Sequence, residues 1–205
     1  MNSFKPADGG FATLQRLVPK GKPMERCELC AAELSESHRH LVEPATRKIV
    51  CACRGCALLL VGCHHGRFRL ISQRVERLSE FRLSDAQWED LRLPINLAFF
   101  FRSAPSGRPL AIYPSPAGPM ESLLPLEAWS ELELQNPLLR ELESDVEALL
   151  VNRIGTARSY YRVPIDECYK LVGLLRMKWH GLSGGTEVWQ AIGGFFEALE
   201  KKAAS

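Results

Sequence analysis

The sequence predicts an α+β fold in three parts: an N-terminal zinc-ribbon or treble-clef-like module, a small β-hairpin region and a helical C-terminal half. Three observations predict it. Two C-x-x-C pairs, Cys27 with Cys30 and Cys53 with Cys56, flank a stretch of extended pattern near the front. Two apolar blocks, Leu97–Phe101 and Leu110–Tyr113, flank the turn-forming Pro105, Ser106 and Gly107. Beyond Asn136, apolar residues return at helical spacing in three successive stretches. The 205 residues, 46% hydrophobic and 24% charged, have the composition of a globular chain large enough to bury a core. The expected division is a flexible arm over residues 1–24, a four-cysteine zinc-binding module over 25–82, and an α+β domain with a helical C-terminal half over 83–205.

In chain order, the arm mixes Pro6, Gly9, Gly10 and Pro19 with a short apolar pattern of Phe11, Leu14 and Leu17. His40–Glu43 and Arg47–Cys51 read as a hairpin around Pro44–Thr46, and Phe68, Leu70 and Val75 among alternating arginines as further strands with a solvated basic face. Ser84 with Gln87 three residues on is a capping-box pattern opening a short helix that carries Trp88 and Leu91 on one face. Phe99, Phe100 and Phe101 in a row require burial on both faces of their strand. Pro114–Pro125 reads as a Pro- and Gly-rich loop, and Leu126–Leu134 fits either strand or helix.

Asn136 as N-cap and Pro137 at the first helical position open a predicted helix through Leu138, Leu139, Leu142, Val146, Leu149 and Leu150, stopped by Gly155. Glu141, Glu143, Asp145 and Glu147 would form its solvated face. Pro164 opens a further helix with Asp166 and Glu167 in its first turn, an apolar stripe of Ile165, Cys168, Tyr169, Val172, Leu175 and Trp179, and Gly181 beyond its end. Thr186 is the expected cap of the last helix, with Val188, Trp189, Ile192, Phe195, Phe196 and Leu199 on its apolar face.

The chemistry concentrates in the cysteines. Six of the seven lie between Cys27 and Cys63, and 22 residues separate the two C-x-x-C pairs, room for one hairpin. Each pair can form a tight turn whose amides point at the sulfurs and stabilise thiolates, and two such knuckles close a tetrahedron. Four thiolates suit Zn2+, the expected ion, with Fe in a rubredoxin-like site as the alternative; alanine follows each pair, at Ala31 and Ala57, where rubredoxin motifs carry glycine. The expected ligands are Cys27, Cys30, Cys53 and Cys56. Cys51, His38 and His40 are alternates: Cys51 shares a strand face with Cys53, and the hairpin brings the histidine pair opposite it. These three also read as an open or second metal site, against a bland pair of surface or ligand-supporting histidines. Cys63, His64 and His65 read as a turn with incidental histidines, and Cys168 as a packed core thiol.

No G-x-x-x-x-G-K-S/T, G-x-G-x-x-G, H-E-x-x-H or G-x-S-x-G motif is present, so the commonest phosphate-binding, dinucleotide-binding, metalloprotease and serine-hydrolase classes lose their anchors. Ser183–Thr186 is a helix-start turn. The net charge is only +2, distributed as +6 over residues 1–82, −5 over 83–158 and +1 over 159–205. Arg47, Arg54, Arg67 and Arg69 are therefore expected to bind an acidic protein partner; nucleic acid is the less favoured partner at so small an overall charge. No apolar run approaches the ~20 residues of a membrane span, and the start has no signal-peptide pattern, so a reducing cytoplasmic setting with free thiols is expected.

The segments Glu25–Cys30, Ser37–Leu41, Val50–Cys56, Tyr161–Tyr169 and Trp179–Gly185 together resemble an uncharacterised bacterial family often encoded beside nickel-iron hydrogenase genes, particularly in actinobacteria. Cys27, Cys30, Cys51, Cys53, Cys56, His38 and His40 match that family's pattern. The resemblance implies a hydrogenase subunit or maturation factor as partner. The expected function is thus a non-catalytic zinc-binding accessory protein. An iron electron-transfer protein, a zinc-ribbon nucleic-acid binder and a metal-dependent enzyme using His38, His40 and Cys51 are the alternatives.

Overall fold

The structure, a computed structural model, describes residues 24–62, 66–181 and 184–204. Most of the predicted arm, the Cys63, His64 and His65 cluster and Ser183 lie outside the described residues. Within them the chain is a mixed α/β protein with nine strands in two sheets and five α-helices.

The small sheet has the order β2-β1-β3, from β1 (Arg39–Glu43), β2 (Lys48–Ala52) and β3 (Arg69–Leu70). The predicted hairpin forms as read, with His40 opposite Cys51 and Val42 opposite Ile49. Because side chains alternate across a strand, its two faces differ. Leu41, Val50 and Ala52 pack against Ala57 of helix α1 (Arg54–Gly62) in a small core of their own. Val42 faces the other way and joins the main core with Ile71.

The large sheet is antiparallel throughout, with the order β4-β9-β8-β5-β6-β7. Its strands are β4 (Glu76–Arg77), β5 (Leu97–Ser103), β6 (Arg108–Ser115), β7 (Gly118–Ser122), β8 (Glu147–Asn152) and β9 (Ser159–Pro164). Through β4 the segment leaving the small sheet becomes an edge strand of the large one. Helices α4 (Ile165–Lys178) and α5 (Gly185–Ala203) cover one face. Helices α2 (Asp85–Asp90) and α3 (Leu126–Gln135), with a 3-10 turn at Pro137–Arg140, cover the other. The β5 block serves both layers: Leu97, Phe99 and Phe101 enter the first core, Ala98 and Phe100 the second. The capping box at Ser84 is present in full, each side chain reaching the other residue's backbone.

Five expectations are corrected. The helix predicted from Pro137 to Leu150 stops after one 3-10 turn, and its second half is β8, buried at every position. The unbroken run of Ala148, Leu149, Leu150 and Val151, with Val146 just before it, satisfies a helical period and a central strand equally; Asp145, in the left-handed region at φ 63°, breaks the helix before it. The C-terminal half is accordingly not simply helical: β8 and β9 supply the middle of the sheet. Neither is the acidic run a solvated face, since Asp145 and Glu147 are buried and engaged by Arg69 and Arg162. The predicted loop at Pro114–Pro125 contains β7, an edge strand that tolerates Pro119 because an edge needs only half its ladder. Finally, Gly184 rather than Thr186 caps α5. Its φ of 85° suits glycine, and a Cβ there would sit 2.8 Å from Val188 Cγ1 and 3.2 Å from the Trp179 ring.

Candidate metal centre

Two local structures bring the four predicted cysteines together. The first is the turn at Cys27–Cys30, in which Ala31 N–H donates to Cys27 O and Cys27 N–H to Ala32 O, both at 2.8 Å. Ala31 takes a left-handed φ of 61° to close it. Glu28, between the two sulfurs, staples the turn to β2: its amide donates to Cys51 O and its carboxylate accepts from Cys51 N–H, each at 2.9 Å. The second is the start of α1, where Cys53 O accepts the first helical hydrogen bond from Ala57 and Cys56 lies in the first turn. A helix N-terminus favours negative charge, which acts in favour of thiolates there and against the repulsion between neighbouring sulfurs.

The Sγ atoms of Cys27, Cys30, Cys53 and Cys56 all lie within 4.8 Å of one another. Cys30 and Cys53 Sγ are 3.7 Å apart; the edge of a tetrahedron with metal-sulfur bonds of about 2.3 Å is about 3.8 Å. Burial pushes the Cys27 thiol up, but the amides of Cys53, Leu29 and Cys30 outweigh it and hold Cys27 at about 6. Cys56 is pushed up to about 12 by its contacts with the Cys30 and Cys53 sulfurs, and by burial. One thiolate forms readily among these sulfurs and further ones are opposed. A divalent cation supplies the charge that lets all four ionise.

A second cluster lies across β2. His38 Nε2 or Nδ1, a ring nitrogen of His40 and Cys51 Sγ fall within 4.8 Å of one another. The structure thus separates Cys51 from the four-cysteine set. His38, His40 and Cys51 occupy the hairpin face turned toward α4, whose first turn presents Asp166: His40 Nδ1 is 2.6 Å from Asp166 Oδ2. Burial pushes the Asp166 carboxyl up, yet the hydrogen bond from His40 and the nearby Lys170 charge hold it below the usual range. Cys51 is raised, by burial first and then by the charges of Glu25 and Glu28. Sequence reasoning missed both Asp166 and Glu28. Asp166 lies 126 residues from His40, and no local pattern marks it beyond a first-turn acid.

Three of the four arginines expected to bind a partner are paired with carboxylates of the chain itself. Arg47 pairs with Glu121 of β7, Arg67 with Glu43, and Arg69 with Glu143 and Asp145, while Arg54 is exposed at the first residue of α1. Cys168 is wholly buried in the main core. None of the described cysteines is in a disulfide.

A family profile matches residues 26–203, both side-chain clusters included. The chain belongs to DUF5947, a family of unknown function. The match carries no link to hydrogenase genes. No curated protein and no solved structure matches the chain. Among the described residues, no helix of this DUF5947 member is long and apolar enough to cross a membrane.

Proposed function

We propose that the chain is a metal-binding accessory protein in which Cys27, Cys30, Cys53 and Cys56 hold one Zn2+ as a structural, non-catalytic centre. The observation that carries the reading is the convergence of four sulfurs from a knuckle and a helix start. Four protein thiolates fill a tetrahedron and leave no position for substrate, which is the form of a structural rather than a catalytic zinc site. The order knuckle, hairpin, helix, with the second pair at the helix start, favours a treble-clef-like module over a zinc ribbon.

The module also offers a means of docking. While Ala57 and Leu60 of α1 face the hairpin, Leu58, Leu59 and Val61 are 68%, 69% and 46% exposed on its outer side. A protein partner that covers them would explain apolar side chains in water on so short a helix. That the partner is a hydrogenase subunit or maturation factor is supported by the resemblance alone.

Elemental analysis and colour test the centre. The protein purified anaerobically is expected to be colourless and to contain zinc, and a Cys27→Ser, Cys56→Ser double variant to lose one equivalent. A red, iron-containing protein would replace this reading with electron transfer through the same four sulfurs. Metal content unchanged in the double variant would remove the centre altogether. For the partner, recovery of hydrogenase components from a native host, and its loss in Leu58→Asp, is expected; recovery of none counts against it.

A further inference from the structure

The histidine pair is held in an arrangement that two neutral imidazoles do not adopt alone. His40 Nδ1 faces the Asp166 carboxylate at 2.6 Å and His38 Nδ1 faces the carbonyl oxygen of Ser35 at 3.0 Å. Both oxygens are acceptors, so each Nδ1 carries the ring hydrogen. The Nε2 atoms are then bare, and they point at each other across 3.1 Å. Two lone pairs so placed need a proton or a metal cation between or beside them: a shared proton makes one ring an imidazolium, and a bound metal ion takes that proton's place. The rings are half-buried at the wall of a cleft, with side-chain exposures of 7% for His38 and 21% for His40. Cys51 Sγ, from the register position opposite His40, completes a triangle of donors.

We propose that His38 Nε2, His40 Nε2 and Cys51 Sγ bind a second divalent cation of the zinc class, separate from the four-cysteine centre and open at its fourth position. Three protein ligands of this kind leave one coordination site for water or a small oxygen donor, the pattern of reactive rather than structural zinc. Space for such a ligand is present: His38, His40 and Asp166 line a cleft of about 410 Å³, together with Gln73, Lys170 and Lys202. The supporting contacts match what metal-bound histidines require, one carboxylate and one backbone carbonyl fixing the two Nδ1–H groups. Asp166 Oδ1 is the only buried side-chain polar atom without a hydrogen-bond partner among the described residues. It lies on the carboxylate that orients His40. The cation would also join the hairpin to α4, because its ligands come from one and its orienting carboxylate from the other.

Stepwise addition of Co2+ to the metal-free protein tests this independently of the four-cysteine reading. Two equivalents are expected, with distinct visible spectra: one a tetrathiolate, the other with a weaker sulfur-to-cobalt band and added imidazole character. His38→Ala should abolish the mixed-ligand spectrum and keep the tetrathiolate one. Asp166→Asn, which acts by positioning His40, should weaken only the mixed-ligand site, by about 10- to 100-fold in chelator competition. Azide added to the dicobalt form should alter the mixed-ligand bands alone; bands indifferent to azide would overturn the open position. In the wild type, where no variant can misfold, the Nε2 resonances of His38 and His40 should move together on zinc addition. A tetrathiolate spectrum with no second one, or Nε2 resonances that stay in place at saturating zinc, would overturn the second site.

Discussion

The two sheets solve the same problem with very different means. The large sheet is covered on both faces, and its central strands β5 and β8 bury Phe99, Phe100, Leu149 and Leu150 completely or nearly so. The small sheet has three short strands and a private core of only Leu41, Val50, Ala52 and Ala57 fully buried. A core of that size does not offset the entropy of ordering some forty residues (~1 to 2 kcal/mol each for the backbone). What the small sheet has instead is ligands. The comparison teaches that apolar burial holds one region, and that under the proposed zinc reading coordination, with docking onto the first, holds the other.

The largest expected effect breaks this contrast directly. Chelation, or Cys27→Ser, removes a metal contribution on the order of 10 kcal/mol and should unfold the module while the large sheet persists. Hydrogen exchange reads it: amides of β1, β2 and α1 should lose protection while those of β5 and β8 keep it. Uniform loss would mean that the metal holds both regions. Next comes the converse, Phe100→Ala. Phe100 packs against Trp129 and Trp88 at ring separations of 5.3 and 6.4 Å, and its removal should cost about 3 to 5 kcal/mol in urea denaturation of the large sheet without changing the metal content.

How much of this was legible depended on distance along the chain. The first cysteine knuckle, the hairpin after it, the Ser84 capping box and the doubly buried Phe99–Phe101 are written in residues a few positions apart, and each formed as the pattern reads, whereas the second C-x-x-C pair became a helix start. Ala148–Val151 was misread because an unbroken apolar run carries no period; only its neighbours β5 and β9 decide that it is a strand. Strand β7 was hidden because Pro119 signals a loop unless the position is known to be an edge. The separation of Cys51 from Cys53 was illegible for a related reason. Two residues apart, both would lie on one face if the strand continued, but β2 ends at Ala52, and the turn into α1 sends Cys53 to one cluster and leaves Cys51 facing His40.

A smaller effect, of about 3 kcal/mol, is expected from the buried pair that ties β8 to β9. Arg162 meets Glu147 at 2.5 Å with both side chains largely buried, so Arg162→Met leaves a carboxylate without its cation. Burial pushes Glu147 up, but the Arg162 guanidinium and the Glu143 amide outweigh it and hold the group below its usual 4.5. The sign follows: its ionisation stabilises the fold fully above the unfolded value and the gain is lost as pH falls through the lower folded one. Asp145 opposes it, since burial dominates there and raises the carboxyl above 3.8, so protonation of Asp145 favours the fold. Denaturation midpoints from neutrality down to about pH 3 should therefore fall on acidification in the wild type, and fall less in Arg162→Met. An unchanged slope would show that Glu147 does not govern the acid limb.

The smallest prediction sharpens how the module is held. Arg47 closes the β1–β2 turn in the left-handed region, at φ 58°, and reaches Glu121 of β7 at 2.9 Å. A side chain in that region costs roughly 1 to 2 kcal/mol, and a half-exposed ion pair returns about 0.2 to 1. The two terms separate by substitution. Arg47→Ala loses the pair and keeps the strain, whereas Arg47→Gly loses the pair and relieves it, so the glycine variant should be the more stable by about 1 kcal/mol in thermal or urea melts. Glu121→Gln, which spares the turn, isolates the pair and should cost less than about 1 kcal/mol. If docking instead depends on this contact, both Arg47→Gly and Glu121→Gln will selectively deprotect β1 and β2 by far more than a surface pair can account for. That result would move part of the module's stability from its ligands to its seam with β7, and the contrast between the two sheets would have to be redrawn there.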